Sequence, residues 1–306
     1  MRPSRSRGPT FVVAGAGRAG STAVTEGLRA HPDVFVTQPK EPHFLALGGR
    51  PVEFTGPGDD STINKLAVTE LDRYLELFPD GNDFLALGEG SVSTLYYPDS
   101  SIPAIESLNA DMRIVVVLRD PVERAFSSFQ YLSVRGFEPL DDFLDAVADE
   151  PRRRELGWHH LWHYTGMSHY ADDIARFVHA FGDRVGVWFH DDLENDSAGT
   201  IGDIQRFIGV DPARAETGNV RRVNASGQPR VQSVQAAMQW AVRHDSLRSA
   251  VKRAVPFRVR EWVRSANLQP HGADSRVRDA LRPQFAADLE RLQGVLGREV
   301  PDGWWK

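Results

Sequence analysis

A glycine-rich turn between a short apolar run and a helical segment constrains the fold more than any other feature of this sequence. Residues 10–14 read TFVVA, the apolar and β-branched composition of a buried strand. Residues 15–22 read GAGRAGST, and the chain from there to residue 30 has a helical pattern. A strand, a glycine turn and a helix N-terminus direct backbone N–H groups at one point, which favours a bound phosphate. The alternative is a tight turn without a ligand.

The same alternation continues along the chain. Further strands are predicted at 34–37, 84–87, 113–118 and 185–189, and further helices at 66–78, 121–132, 139–149, 168–181 and 198–208. Short apolar strands that alternate with helices are typical of a parallel sheet covered on both faces. We therefore predict an α/β, three-layer fold with a central parallel sheet flanked by helices and a helical C-terminal part. Residues 48–62, rich in Gly, Pro, Asp and Ser, are predicted to form a mobile surface loop.

Composition excludes several classes of protein. The 306 residues contain no cysteine, which rules out disulfide scaffolds, iron–sulfur clusters, thiolate zinc sites and a cysteine nucleophile. The formal charge of −6 argues against a nucleic-acid partner. No stretch approaches the roughly 20 apolar residues of a transmembrane helix. We expect a cytoplasmic protein with a flexible basic tail at 1–9 and a single domain at 10–306; its oligomeric state is not predicted.

Two familiar phosphate-binding patterns fit the glycine turn incompletely. Three glycines of residues 15–20 satisfy G-x-G-x-x-G, the turn of a dinucleotide-binding oxidoreductase of Rossmann type. That fold expects an acid about 20 positions on, but the nearest acid, Glu41, lies beyond a proline in the next loop. An ATP or GTP P-loop would place a lysine where Ser21 stands. Its magnesium-binding aspartate would lie near Arg119.

A second segment supports a nucleotide that carries two phosphate groups. Residues 113–127 read RIVVVLRDPVERAFS, so a strand ends at Arg119 and Ser127 lies one to two turns into the next helix. A guanidinium and a hydroxyl would then converge beside the glycine turn. Arginine binds phosphate well through charge-assisted hydrogen bonds. The alternative is that the charged residues of 119–124 only cap a helix with ion pairs.

In these two segments the chain resembles the sulfotransferases that use 3′-phosphoadenosine 5′-phosphosulfate (PAPS), especially their bacterial and heparan-sulfate-modifying branch. Similar blocks follow in the same order: HPDV at 31–34, KEPHF at 40–44, GEGS at 88–91, YYP at 96–98, FIGV at 207–210, NASGQPR at 224–230 and LGRE at 296–299. The resemblance implies a P-loop-like fold and sulfuryl transfer to a hydroxyl, phenol or amine of a small-molecule, lipid or sugar acceptor. A nucleotide-binding module without catalysis is the remaining alternative.

The resemblance also assigns nucleotide contacts. Those implied for the 5′-phosphosulfate are Arg18, Ala19, Gly20, Ser21 and Thr22. Those implied for the 3′-phosphate are Arg119 and Ser127, with Gly227 and Arg230 as further contacts. The product would be adenosine 3′,5′-bisphosphate (PAP). Two departures stand out, because many members have a lysine in place of Arg18 and the Golgi enzymes carry one in place of Gly90.

Three residues of one loop are candidates for the chemistry. Glu41 is the predicted general base, since it follows the second strand at the edge where parallel sheets bind ligands. The resemblance places the acidic base of the heparan-modifying branch at this position, and a solvated loop carboxylate is the alternative. His43 is the second candidate base because imidazole titrates near neutral pH; its alternative role is packing beside Phe44. Lys40 is a candidate for orienting the sulfuryl group.

Candidate acceptor contacts lie in other loops. They are Glu89, Phe44, Trp158, His159 and Trp162. Glu89 either bonds the acceptor or braces the glycine turn, and segment 158–163 (WHHLWH) either walls the acceptor pocket or belongs to the core. His159 and His163 have a metal-ligand spacing on a helix, but without a nearby acidic ligand we predict no metal. Residues 240–265 are basic and predict a solvated amphipathic helical region, with an acidic acceptor or membrane surface as the alternative partner.

Overall fold

Five parallel strands form the central sheet of the protein. The computed structural model describes residues 8–79, 83–215 and 272–305, together with the backbone of 228–229 and 268–269. The strands are β1 (Phe11–Gly15), β2 (Val34–Val36), β3 (Ala86–Glu89), β4 (Arg113–Leu118) and β5 (Val185–Phe189). They pair in the order β2-β3-β1-β4-β5. This order differs from the 3-2-1-4-5-6 order of dinucleotide-binding folds.

Helices cover both faces of the sheet. Their bounds are α1 Ser21–Arg29, α2 Phe44–Leu47, α3 Ile63–Leu66, α4 Leu71–Leu75, α5 Ser93–Tyr96, α6 Pro98–Leu108, α7 Pro121–Val134, α8 Phe143–Ala148, α9 Glu150–Glu155, α10 Ala171–Phe181, α11 His190–Asn195, α12 Ser197–Phe207 and α13 Ser275–Leu296. Successive strand residues point to opposite faces. Val12 and Ile114 therefore pack in the core layer that includes α6, α10 and α13. Phe11 and Val115 pack in the layer that includes α1 and α12.

The predicted α/β fold with a parallel sheet flanked by helices is confirmed, and α13 provides a helical C-terminal part. Strands β4 and β5 have the predicted bounds. β4 is a buried apolar run beside the central strand β1, and β5 is the half-buried edge strand next to it. The helix predicted at 66–78 is wrong as a single element. The amide of Val68 donates to the carbonyl of Pro42 at 2.8 Å, which keeps the chain extended between α3 and α4.

The loop predicted at 48–62 is fastened to the body of the protein. Asp59 is buried and accepts hydrogen bonds from the amide of Gly56 at 2.9 Å and from Trp162 Nε1 at 3.1 Å. Its Oδ1 also lies 2.7 Å from His159 Nδ1. The prediction of a mobile surface loop is therefore wrong at Asp59, because a buried carboxylate needs these donors and holds the loop against them.

The described residues contain one further pair of strands outside the central sheet. A short antiparallel pair joins β6 (Gln228–Pro229) and β7 (Leu268–Gln269). Within the described ranges, no helix combines the length and apolar composition needed to cross a membrane. Most of the predicted tail at 1–9 and all of the basic segment at 240–265 lie outside the described residues. The division into one tail and one domain stays a prediction.

Candidate functional site

The glycine loop, residues 15–20, connects β1 to α1 at the carboxyl edge of the sheet. Gly20 has a φ of 103° and immediately precedes α1, where it offers no side-chain cap. A Cβ on Gly20 would lie 3.0 Å from Leu193 Cδ1 and 3.1 Å from His190 Nδ1. Both the backbone conformation and the close approach of α11 therefore require glycine. The first turn of α1 contains no acidic residue, so its N–H groups and dipole favour an anion.

Side chains from α7 and the end of β4 meet this loop. Arg18 Nε donates to Ser127 Oγ at 3.3 Å, and Arg119 Nη1 donates to the carbonyl of Arg18 at 3.3 Å. The hydroxyl of Tyr170 donates to the carbonyl of Arg119 at 2.9 Å, which fixes the chain after β4. The structure thus brings together three of the residues predicted to hold the two phosphates. Two further predicted contacts lie outside the described residues: Gly227 and Arg230.

Positive charge is concentrated around Arg18. Its guanidinium carbon lies 4.6 Å from the ring centroid of Tyr131, and that of Arg135 lies 3.5 Å from the same centroid. Burial is the main cause that lowers the pKa of Arg18 to about 10; Arg119 and Arg124 also lower it, while Tyr131 raises it. Arg18 is still charged at neutral pH. Several guanidinium groups around one loop favour a ligand with more than one negative charge.

Arg124 positions the glycine loop, a role that the sequence did not indicate. It is fully buried, and its guanidinium donates to Ser168 Oγ at 2.6 Å, to the carbonyl of Tyr164 at 2.6 Å and to the carbonyl of Gly17 at 3.4 Å. The helix cap that the sequence suggested for this region is Asp120, which accepts two amide hydrogen bonds at the start of α7. No local signal identifies Arg124, because its partners Ser168 and Tyr164 lie about 40 residues away.

The loop after β2 brings Lys40 and Glu41 to the start of α1. Lys40 Nζ lies 2.8 Å from Glu41 Oε1, 3.4 Å from Ser21 Oγ and 3.3 Å from Thr22 Oγ1. His43 Nε2 lies 3.9 Å from Glu41 Oε2. The three predicted chemical groups are therefore adjacent to one another, and Lys40 connects them to the two hydroxyls that follow the glycine loop.

The protonation states of Glu41 and His43 follow from their burial and from the nearby ammonium group of Lys40. Burial raises the pKa of Glu41, but Lys40 and His43 together hold it below its ordinary value. Burial lowers the pKa of His43 despite the opposing effect of Glu41, so the imidazole is neutral at neutral pH. His43 Nδ1 lies 2.8 Å from Ser93 Oγ. Glu41 and His43 are thus both in a form that can accept a proton.

Glu89 braces the loop that carries these groups. It is fully buried at the end of β3, and its Oε2 accepts from the amide of Ser91 at 2.7 Å. Ser91 Oγ accepts from the amide of His43 at 2.9 Å, and the amide of Gly90 donates to the carbonyl of Lys40 at 2.9 Å. Burial raises the pKa of Glu89 to about 7, against the lowering effect of its bonds to Ser91. The brace acts on the loop after β2, whereas the sequence suggested the glycine turn.

The predicted aromatic contacts lie in buried clusters. Phe44 stacks on Tyr74 with 4.4 Å between ring centroids. Trp158 and Trp162 pack edge to face at 4.8 Å, in a cluster with residues of α7, α8 and α13. Trp162 is fully buried, which agrees with the core alternative. A contact of Phe44 or Trp158 with an acceptor stays a prediction.

The two histidines with ligand spacing have different partners. Residues 160–162 form a short 3₁₀ turn, so the α-helical face on which the spacing depends is not formed. His159 Nδ1 faces Asp59 Oδ1 at 2.7 Å, whereas His163 Nδ1 lies 2.8 Å from the hydroxyl of Tyr96. In the described part of the chain, no three potential ligand side chains are grouped as a metal ion requires.

Together the fold and the site define an α/β protein that concentrates cationic and hydrogen-bond-donating groups at the carboxyl edge of its sheet, which suits a polyanionic ligand. Two sets of donors at this edge could hold such a ligand. One is the glycine loop with Arg18 and the hydroxyls of α1, and the other is Arg119 with Ser127. A proton acceptor lies beside the first set. This arrangement suits group transfer at a phosphate-bound position.

Comparison with known proteins identifies the family. No family model matches the chain. The chain is 29% identical over 223 residues to human heparan sulfate glucosamine 3-O-sulfotransferase 6, which covers 68% of this chain and 54% of the relative. It is 27% identical over 174 residues to mouse carbohydrate sulfotransferase 15, which covers 46% of this chain and 30% of the relative. The chain thus spans about half or less of the length of these curated relatives.

A solved structure extends the likeness to the whole chain. A sulfotransferase from Alicyclobacillus acidocaldarius superposes with a TM-score of 0.75 at 25% identity, covering 97% of this chain and 99% of that one. The resemblance to the sulfotransferase family is therefore confirmed, and so is the three-layer P-loop-like fold.

Proposed function

We propose that the protein is a sulfotransferase that uses PAPS and transfers its sulfuryl group to a hydroxyl of a small-molecule, lipid or sugar acceptor. The sulfotransferase relatives support the reaction class. The observation that carries the proposal is the contact between the two phosphate-binding sets, where Arg18 Nε donates to Ser127 Oγ and Arg119 donates to the carbonyl of Arg18. A nucleotide with phosphates on both its 5′ and 3′ positions would satisfy both sets at once.

The residues present fit this donor. Residues 18–22 provide a guanidinium, backbone N–H groups at a helix N-terminus and two hydroxyls for the 5′-phosphosulfate. Arg119 and Ser127 provide a charged and a neutral donor for the 3′-phosphate. PAPS, when bound, supplies a sulfuryl group on its 5′-phosphate. Transfer of such a group depends mainly on positioning and on stabilising charge at the leaving oxygen. Arg18 and Lys40 lie where they can do both.

We propose Glu41 as the group that accepts the acceptor's proton. Its carboxylate is ionised at neutral pH and lies beside the start of α1 through Lys40. His43 is the second candidate, because its neutral imidazole lies 3.9 Å from the carboxylate. Neither role requires a metal. The braces from Ser91 and Glu89 hold both groups in place.

Two alternative functions make different predictions. A Rossmann-type oxidoreductase would bind NAD and change the 340 nm absorbance of its reduced cofactor. The strand order and the residue after β2, a buried threonine instead of an acid, do not favour it. A non-catalytic module would bind the nucleotide but form no acceptor-dependent product.

Calorimetric titration with PAP, AMP, ATP and NAD tests the proposal without knowledge of the acceptor. Tight binding of PAP that drops sharply for AMP is the expected result. Preference for ATP or NAD, or no binding of PAP, would overturn the proposal. An acceptor screen with labelled PAPS then follows. It begins with glucosamine-containing sugars, since a matched relative is named for that acceptor, and extends to phenols, amines and lipid hydroxyls.

A further inference from the structure

We infer that Lys40 is a cation shared between the phosphate loop and the base, so that nucleotide binding draws it away from Glu41 and makes that carboxylate a stronger base. The inference rests on the proposed function, because it requires an anion in the glycine loop. It adds a regulatory contact to the site: the base is held in a weak form until the donor is present.

The ammonium group of Lys40 lies between the Glu41 carboxylate and two hydroxyl groups at the start of α1. Lys40 Nζ lies 2.8 Å from Glu41 Oε1 on one side. On the other it lies 3.3 Å from Thr22 Oγ1 and 3.4 Å from Ser21 Oγ, the first two side chains after the glycine loop. An ammonium group has three donors, so this arrangement allows Lys40 to serve both sides and to shift between them.

The lysine stem lies in the space that the absent side chain of Gly90 leaves open. Gly90, at the end of β3, lies beside it, and a Cβ there would approach Lys40 Cε to 2.9 Å and Thr25 Cγ2 to 2.6 Å. The amide of Gly90 also donates to the carbonyl of Lys40, which holds the backbone from which the side chain extends. A larger residue at position 90 would occupy the space into which the stem extends.

Of the charged groups around Glu41, Lys40 is the one that links this carboxylate to the nucleotide site. Lys40 and His43 face the carboxylate from its own loop, Arg18 from the glycine loop and Glu89 from β3. Among these, Lys40 donates a hydrogen bond to the carboxylate and also contacts the start of α1. An anion at the loop attracts Lys40 and places new negative charge near Glu41. Both effects favour the protonated carboxyl, so the pKa of Glu41 rises on binding.

Proton uptake on PAP binding is the measurable consequence. Titrations at mildly acidic pH in buffers of different ionisation enthalpy give the number of protons bound per nucleotide. The share due to Glu41 is the difference between the wild type and Glu41→Gln. The same difference in proton uptake is then measured between Lys40→Met and the double variant Lys40→Met/Glu41→Gln. Protons exchanged by the nucleotide's own phosphates cancel in each difference. Lys65→Met removes an exposed lysine on α3 and serves as the matched control.

We expect Glu41 to take up a fraction of a proton in the wild type and in Lys65→Met, and a clearly smaller fraction when Lys40 is absent. A zero share in the wild type, or equal shares with and without Lys40, would refute the shared cation while leaving the nucleotide site intact. Failure of PAP to bind the wild type would instead refute the proposed function, and this inference with it.

Discussion

Replacing Arg119 with alanine should abolish recognition of the 3′-phosphate. Among the described residues, the Arg119 guanidinium donates one hydrogen bond, to the carbonyl of Arg18, so most of its five N–H groups are available to an anion. A hydrogen bond to a charged group contributes about 1.5–3 kcal/mol. Because about 1.4 kcal/mol is tenfold in affinity, Arg119→Ala should weaken PAP binding roughly 10- to 150-fold.

Comparison with AMP isolates this effect. AMP lacks the 3′-phosphate, so its affinity should change little in Arg119→Ala, and the preference for PAP over AMP should collapse. Arg113→Ala is the matched control, since Arg113 is exposed at the opposite end of the same strand. Calorimetry of both nucleotides with both variants gives the affinities, and thermal unfolding checks that the variants remain folded. Equal losses for PAP and AMP, or none for PAP, would show that Arg119 does not read the 3′-phosphate.

Three further predictions test other parts of the site. Glu41→Ala should not weaken PAP binding, while turnover falls about 10²–10⁴-fold; full activity would transfer the role of base to His43. Glu89→Gln should stabilise the protein increasingly as pH rises from 4.5 to about 7, because the buried carboxyl of the wild type must ionise at a raised pKa. The gain in the free energy of unfolding should reach on the order of 3 kcal/mol, and urea titrations at both pH values that show a constant gain would contradict the cause assigned. Gly20→Ala should lose about 1–3 kcal/mol of stability plus nucleotide affinity. Gly49→Ala, equally left-handed but without neighbours within 4 Å, should retain nucleotide affinity, and equal losses of affinity in both would refute the role given to Gly20.

Much of the fold could be predicted because the strands of the sheet are short apolar runs that can be recognised in the sequence. β4 is buried on both faces, so it reads as an unbroken apolar run with clear ends. The helix expected at 66–78 failed for a non-local reason, since the carbonyl of Pro42 captures the amide of Val68. The prediction of a mobile loop at Asp59 was wrong for a similar reason. An acid in a Gly- and Pro-rich segment indicates a surface loop, and its buried partners lie about 100 residues later.

The site was predictable where its residues follow strand ends. The positions of Arg119 and Glu41 could be predicted because each follows a parallel strand, and the carboxyl ends of these strands share one edge. The roles expected of Arg18 and Ser127 came from the family resemblance, and the structure places both beside that edge. The role of Arg124 could not be predicted, because the helix sequence does not show that this charged side chain is buried. The state of Glu41 was not predictable either, since it depends on where Lys40 places its ammonium group.

The position of that ammonium group explains why a glycine loop with serine at position 21 can serve this site. An ATP P-loop carries its lysine at that position. Here Lys40 approaches that position from the loop after β2, with Nζ 3.4 Å from Ser21 Oγ. A lysine within the loop would serve the phosphate alone. A lysine next to Glu41 in sequence can instead serve the phosphate and restrain the base. One substitution, Lys40→Met, should therefore weaken nucleotide binding and also reduce the share of proton uptake that is due to Glu41.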